Sequence, residues 1–147
     1  MSPIINPTGK YSFITERLAI GGFYAYGEDL EKHFDFAINV AVELQQTLPG
    51  APSNKIPSMH CGFDDTHKLA PELPQIERAV RRVQMHRAFG KRVLVTCAQG
   101  RNRSGVVVAE TLIREGSDPE FVVRTIRERR ANALTNSTFV EWLMRKR

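Results

Sequence analysis

The 147-residue chain has only two cysteines, one tryptophan, and no apolar run approaching the roughly 18 residues a membrane span needs. Cys61 and Cys97 cannot build a disulfide framework, so a reducing, cytoplasmic setting is the simpler expectation. The opening residues, MSPIINPTGK, carry neither a basic start nor an apolar stretch, and no secretory leader is expected. His33, His60, His67 and His86 show no mutual spacing that demands chemistry, and no His or Cys pattern has the spacing of zinc ligands. No repeat, low-complexity tract or linker divides the chain, which reads as one domain over 1–147. Hydrophobic content of 41% and charged content of 25% suit a folded globular protein. The net charge of +5 tilts it toward anionic partners: phosphates, acidic proteins or nucleic acid.

The residues present alternate between two periods. Short strands are expected near Ser12–Ile14, Leu18–Ile20, Phe36–Val40 and Ser58–Cys61, with a buried strand over Arg92–Thr96. A helix is expected around Glu28–Phe34. A second, opened by Pro71 and Pro74, carries Ile76, Ala79, Val80 and Val83 at helical spacing to about Arg87. Further helices are expected over Arg103–Glu115, from Pro119 to about Arg130, and over Ser137–Arg145. Gly50–Lys55 reads as a loop. Strands alternating with helices define the α/β class, a small central sheet with helices on its faces.

One junction departs from an ordinary turn. Val93–Glu110 reads V-L-V-T-C-A-Q-G-R-N-R-S-G-V-V-V-A-E, an apolar strand and an apolar helix joined through a polar loop with a thiol at its entrance. A strand running through a tight loop into a helix aims backbone N–H groups and the positive helix end at one point. Such a cradle holds a phosphate and favours a thiolate at its base. Gly100 permits the reversal and Gly105 a close helix start. Arg103, six residues after Cys97, reaches far enough for its planar fork to grip two phosphoryl oxygens. Ser104 is placed to donate a hydrogen bond to the sulfur.

This C-x5-R-S-G arrangement resembles the signature of the cysteine-dependent protein tyrosine phosphatases, in particular their compact dual-specificity branch. LAIGGFYA, FAINVAVEL, FDDT and IRERRANALTNSTFVEWL resemble that family's corresponding segments in the same order, and together they cover most of the chain. The resemblance implies a single domain with a small central mixed β-sheet flanked by α-helices. It implies Cys97 as nucleophile forming a phosphocysteine. Arg103 and the backbone N–H groups of Ala98, Gln99, Gly100, Arg101 and Asn102 through Ser104 would hold the phosphoryl oxygens. It also implies an upstream aspartic acid that protonates the leaving oxygen. Asp65, 32 residues before Cys97 and followed by Thr66, fits that place, with Asp64 as competitor; neighbours in an extended loop point opposite ways. The implied reaction needs no metal or cofactor, and the implied substrates are proteins bearing phosphotyrosine, phosphoserine or phosphothreonine. Arg101, a second cation in the loop, favours substrates with several phosphates, such as phosphoinositides or RNA 5′-ends. Asn102 beside Arg103 also occurs in RNA 5′-triphosphatase relatives.

The family usually carries His before the nucleophile, and here Thr96 stands there. A hydroxyl cannot do everything an imidazole does, which predicts a less readily ionised thiol and slower turnover, not an inactive protein. Rhodanese-type sulfur transfer would put the arginine one residue sooner and leave Asp65 idle. A low-molecular-weight phosphatase would carry its cysteine loop near the N-terminus. A phosphoprotein-binding pseudophosphatase is the non-enzyme alternative, although the chain keeps both Cys97 and Arg103. Elsewhere, Cys61 reads as a core residue and Asn39 as a brace for the Cys97 loop. Arg78, Arg81, Arg82 and Arg87 read as a solvated helix face, as do Arg124, Arg127, Arg129 and Arg130. No aromatic residues interleave these arginines, so a nucleic-acid stacking platform is not supported.

Overall fold

The computed structural model describes residues 6–27, 29–44 and 56–145. Five strands form one mixed sheet: β1 (Tyr11–Thr15), β2 (Leu18–Gly22), β3 (Phe36–Ala41), β4 (Ser58–Phe63) and β5 (Val93–Cys97), in the order β1-β2-β5-β3-β4. Only the β1–β2 hairpin is antiparallel; β2, β5, β3 and β4 run parallel. Among the described residues four α-helices complete the fold: α1 (Leu73–Ala88), α2 (Arg103–Arg114), α3 (Pro119–Arg129) and α4 (Ser137–Met144). None of the described helices is long and apolar enough to cross a membrane. The loop expected at Gly50–Lys55 lies outside the described residues.

Every residue of β2, β3 and β5 is buried, as expected of parallel strands covered on both faces. The period of two assigns alternate residues to opposite sides. Leu18 and Ile20, Phe36, Ile38 and Val40, and Val93, Val95 and Cys97 join the large core beneath the helices. Ala19, Ala37 and Leu94 join a smaller core on the other face with Phe13, Ala25, Tyr26, Leu30 and Phe34. Cys97 therefore faces the helices while Thr96 faces away from them. Thr96 Oγ1 lies 2.7 Å from the hydroxyl of buried Tyr26, and burial pushes that phenol up from its ordinary pKa.

The helix expected around Glu28–Phe34 is instead a short 3-10 turn, Leu30–Lys32, with residue 28 not described. Asp29 before it makes no side-chain cap, and Asp35 is already engaged by Arg92, so no second helical turn has room to form. Strand β4 runs to Phe63, two residues past its expected end. Expected ends of α2, α3 and α4 lie within one residue of those observed.

Candidate active site

Strand β5 lies between β2 and β3 and ends at Cys97, and α2 starts at Arg103. The residues between fold around a hollow of about 250 Å³ lined by Asp65, Cys97, Ala98, Gln99, Arg101, Asn102, Arg103 and Thr135. Cys97 is 3% exposed, at the floor, and its Sγ lies 3.2 Å from Oγ of buried Ser104. Gly100 has φ of +70°, and a Cβ there would fall 2.5 Å from the carbonyl carbon of Gly21, so both backbone angle and space demand glycine.

The loop's carbonyls are taken one after another from outside. Ala98 O accepts from Phe23 N–H at 3.2 Å and Arg101 O from Leu134 N–H at 3.2 Å. Between them, Arg130 donates to Gln99 O from Nη2 at 3.0 Å and to Gly100 O from Nε at 2.9 Å. In a trans peptide the C=O and the following N–H point opposite ways. Four carbonyls held outward therefore turn the amides of Gln99, Gly100, Arg101 and Asn102 toward the hollow. Successive inward amides make a concavity that attracts anions. Leu134 supplies its N–H from a left-handed conformation, φ +55°, which is unfavourable for leucine. Arg127, anchored on Leu134 O at 2.9 Å, helps hold it there.

Arg103 is 7% exposed and donates Nη1 and Nη2 to the two oxygens of Glu43 at 2.5 and 2.6 Å; Nη1 also reaches Phe63 O at 3.2 Å. Those bonds use the end of the guanidinium and leave the Nε–H and second Nη2–H edge, a two-pronged fork, for another acceptor. Burial pulls Arg103 down, but the bond from Glu43, with Cys97 and Asp65, raises it overall. That same Arg103 bond holds the Glu43 carboxyl at about 2.

Asp65 stands at the rim. Its Oδ2 accepts from Asn102 Nδ2 at 3.1 Å and its Oδ1 from Asn136 Nδ2 at 2.7 Å. Asn136 meanwhile caps α4, its Oδ1 accepting from the N–H groups of Thr138 and Phe139. Asp64 is exposed and does not line the hollow. The structure thus brings Cys97, Arg103 and Asp65 around one cavity, with Ala98, Gln99, Arg101 and Asn102 on its wall and Ser104 buried behind it against the Cys97 sulfur. Gly100 lies in the turn behind that wall, its carbonyl on Arg130.

Two readings of the sequence need correction. Arg130 is not part of a solvated face: it is 6% exposed beneath the loop, while Arg129 donates to Ile14 O. The stripe Val122, Ile126, Arg130 carried the signal, since steps of four keep one helix face and the first two are buried. Asn39 braces not the Cys97 loop but the turn bearing Glu43, donating to Leu44 O at 2.6 Å and accepting from Ala41 N–H at 3.0 Å. Cys61 is the buried core residue expected, its thiol pushed up by burial; Arg78, Arg81 and Arg82 are exposed on α1, whereas Arg87 is half-buried and donates to both oxygens of Glu115. Glu43 and Thr135 had no readable signal, whereas Asn136 stood at an N-cap position before S-T-F.

Residues 27–147 match the family described as Dual specificity phosphatase, catalytic domain. No curated protein sequence matches the chain. Among solved structures, human DUSP28 is 23% identical with a TM-score of 0.77, covering 97% of this chain and 94% of its own. A mouse dual specificity phosphatase complexed with zinc tungstate is 24% identical with a TM-score of 0.78, covering 97% and 88%. PTPMT1 in complex with PI(5)P is 19% identical with a TM-score of 0.73, covering 92% of each chain.

Proposed function

Since the chain belongs to the dual specificity phosphatase catalytic-domain family and is thereby a phosphatase, we propose that it hydrolyses phosphate monoesters on proteins, phosphotyrosine and phosphoserine/threonine alike, through a phosphocysteine. The observation that carries this reading is the buried Cys97 sulfur at the floor of the hollow, beneath inward amides and beside the guanidinium of Arg103. The Sγ thiolate attacks phosphorus as the bond to the leaving oxygen breaks, and protonated Asp65 gives that oxygen its proton. Arg103 and the amides of Gln99 through Asn102 hold the equatorial oxygens throughout. Water then attacks phosphorus and loses a proton to Asp65. The S–P bond breaks toward sulfur, eased by the Ser104 hydroxyl 3.2 Å away, and inorganic phosphate leaves.

Support for a catalytic domain spanning 1–147 comes from β1 and β2, which precede the family match yet share its sheet. Two free cysteines suit the cytoplasmic, reducing placement expected for a working thiolate. The test is turnover of p-nitrophenyl phosphate, with radiolabelled phosphate trapped on Cys97 by acid quench. Cys97→Ser abolishes both; persistent turnover in that variant defeats the reading.

A second reading, polyphosphorylated substrates such as phosphoinositides or RNA 5′-ends, is favoured by Arg101, whose side chain is exposed and lines the hollow. PTPMT1, described with PI(5)P, shares the fold. Arg101→Ala then loses more activity on a polyphosphorylated substrate than on a monophosphorylated one. Equal loss on both removes this reading.

A further inference from the structure

Arg130 is a buried cation with an unusual set of partners. Nη1 donates to Gly9 O at 2.6 Å and Ser12 Oγ at 3.0 Å, while Nη2 and Nε donate to Gln99 O and Gly100 O. All four acceptors are uncharged oxygens, and among the described residues no carboxylate accepts from it. A buried guanidinium is ordinarily retained with a counter-ion. Burial, above all, and the nearby Arg101 cation work against its charge, pulling its pKa down. Two of its acceptors belong to the loop whose other side lines the hollow.

We infer that Arg130 is a positioning residue for the anion cradle: by holding the Gln99 and Gly100 carbonyls outward it turns the Gly100 and Arg101 amides onto the bound oxyanion, and that anion supplies the charge Arg130 lacks. The division of labour along the loop is specific. The Gln99 amide is set by Phe23 N–H on Ala98 O, and the Asn102 amide by Leu134 N–H on Arg101 O. The two middle amides depend on Arg130 alone among the described donors. One planar fork suits this task because its Nε and Nη2 prongs span consecutive carbonyls, which an ammonium cannot do. The same fork reaches Gly9 and Ser12, so it clamps the loop against the β1 end of the chain. Arg130 acts from behind the loop and touches no substrate atom. The assignment rests on the phosphatase reading of the pocket.

The experiment uses tungstate as probe, with binding followed by calorimetry and by backbone amide NMR shifts in wild type, Arg130→Lys and Arg130→Gln. In the wild type, tungstate moves the amide resonances of Gln99, Gly100, Arg101 and Asn102. In Arg130→Gln, affinity falls by at least about tenfold. The Gly100 and Arg101 amides lose most of their response while Gln99 and Asn102 keep theirs. Arg130→Lys retains the charge but not the fork, and gives an intermediate affinity with the same two amides impaired. A merely structural arginine would weaken all four responses together or none. Tungstate binding as tight in folded Arg130→Gln as in wild type overturns this inference and leaves the phosphatase reading standing. A wild-type protein that takes no tungstate overturns both. If neither variant folds, the wild-type titration still decides: unmoved Gly100 and Arg101 amides beside shifted Gln99 and Asn102 amides refute the inference.

Discussion

Glu43 lays both carboxylate oxygens on the guanidinium of Arg103, 60 residues further along the chain, at 2.5 and 2.6 Å. The side chain of Arg103 is 9% exposed and that of Glu43 52%, so the pair joins a buried cation to a half-solvated anion. The contact fixes which edge of Arg103 faces the hollow. Glu43→Ala should lower kcat/KM for a small aryl phosphate by about 10- to 100-fold, the worth of one well-aimed charged hydrogen-bond pair. The loss should fall on KM as well as kcat, because the fork contacts phosphate in the ground state too. Steady-state kinetics with tungstate inhibition as a control would check it.

The same pair sets an acid limb in stability. The folded Glu43 carboxyl sits at about 2, below its ordinary 4.5, so on acidification the unfolded chain takes up its proton first. The pair's contribution is complete above about 4.5 and lost as pH falls toward about 2. Asp35, held by Arg92, and Glu77, held by Arg114 and Arg81, titrate in the same window. Denaturant melts of wild type against Glu43→Gln isolate the one group. The stability gap should be greatest near neutral pH and close by pH 2, and it should be modest because solvent screens an anion this exposed.

Asn102→Ala should discriminate between leaving groups. Asn102 and Asn136 hold separate oxygens of Asp65. A misplaced proton donor matters little when p-nitrophenolate leaves, and much when an alkoxide must leave. The variant should lose severalfold more kcat on an alkyl phosphate than on p-nitrophenyl phosphate. Asn136→Ala would add the loss of the α4 cap, about 1 kcal/mol, which makes Asn102 the cleaner site.

Tyr26→Phe removes the partner of Thr96 Oγ1, whose other contact is Ile38 O at 3.5 Å. A buried hydroxyl left with so long a bond costs about 1 kcal/mol. Tm should drop by about 3 °C for a chain of this length. Burial raises the Tyr26 phenol, so the effect should be the same at pH 6 and pH 9.

What could be read from the sequence was what lies close along it. Cys97, Gly100, Arg103, Ser104 and Gly105 are consecutive enough that strand, loop and helix follow from local pattern alone. Of Asp65 and Asp64 only the former borders the hollow, a tertiary placement that no local pattern shows. Glu43 could not be paired with Arg103 because nothing local links a strand-end carboxylate to a loop folded later in the chain. Arg130 was misjudged for a different reason. Four neighbouring arginines suggest a wet face, yet the helical stripe through Ile126 placed one of them inside. The expected helix before β3 stopped at one 3-10 turn because Asp35 is drawn to Arg92, a contact 57 residues away along the chain, while Leu30 and Phe34 join the smaller core.

Cys97 closes the middle strand of five, bonded on either side to parallel neighbours, and Arg103 opens a helix whose residues through Ile113 are all buried. Cys97 and Arg103 thus stand at the ends of two buried elements, while the five residues linking them rest on contacts from Phe23, Arg130 and Leu134. A change at any of those distant donors therefore reaches the hollow without touching its lining.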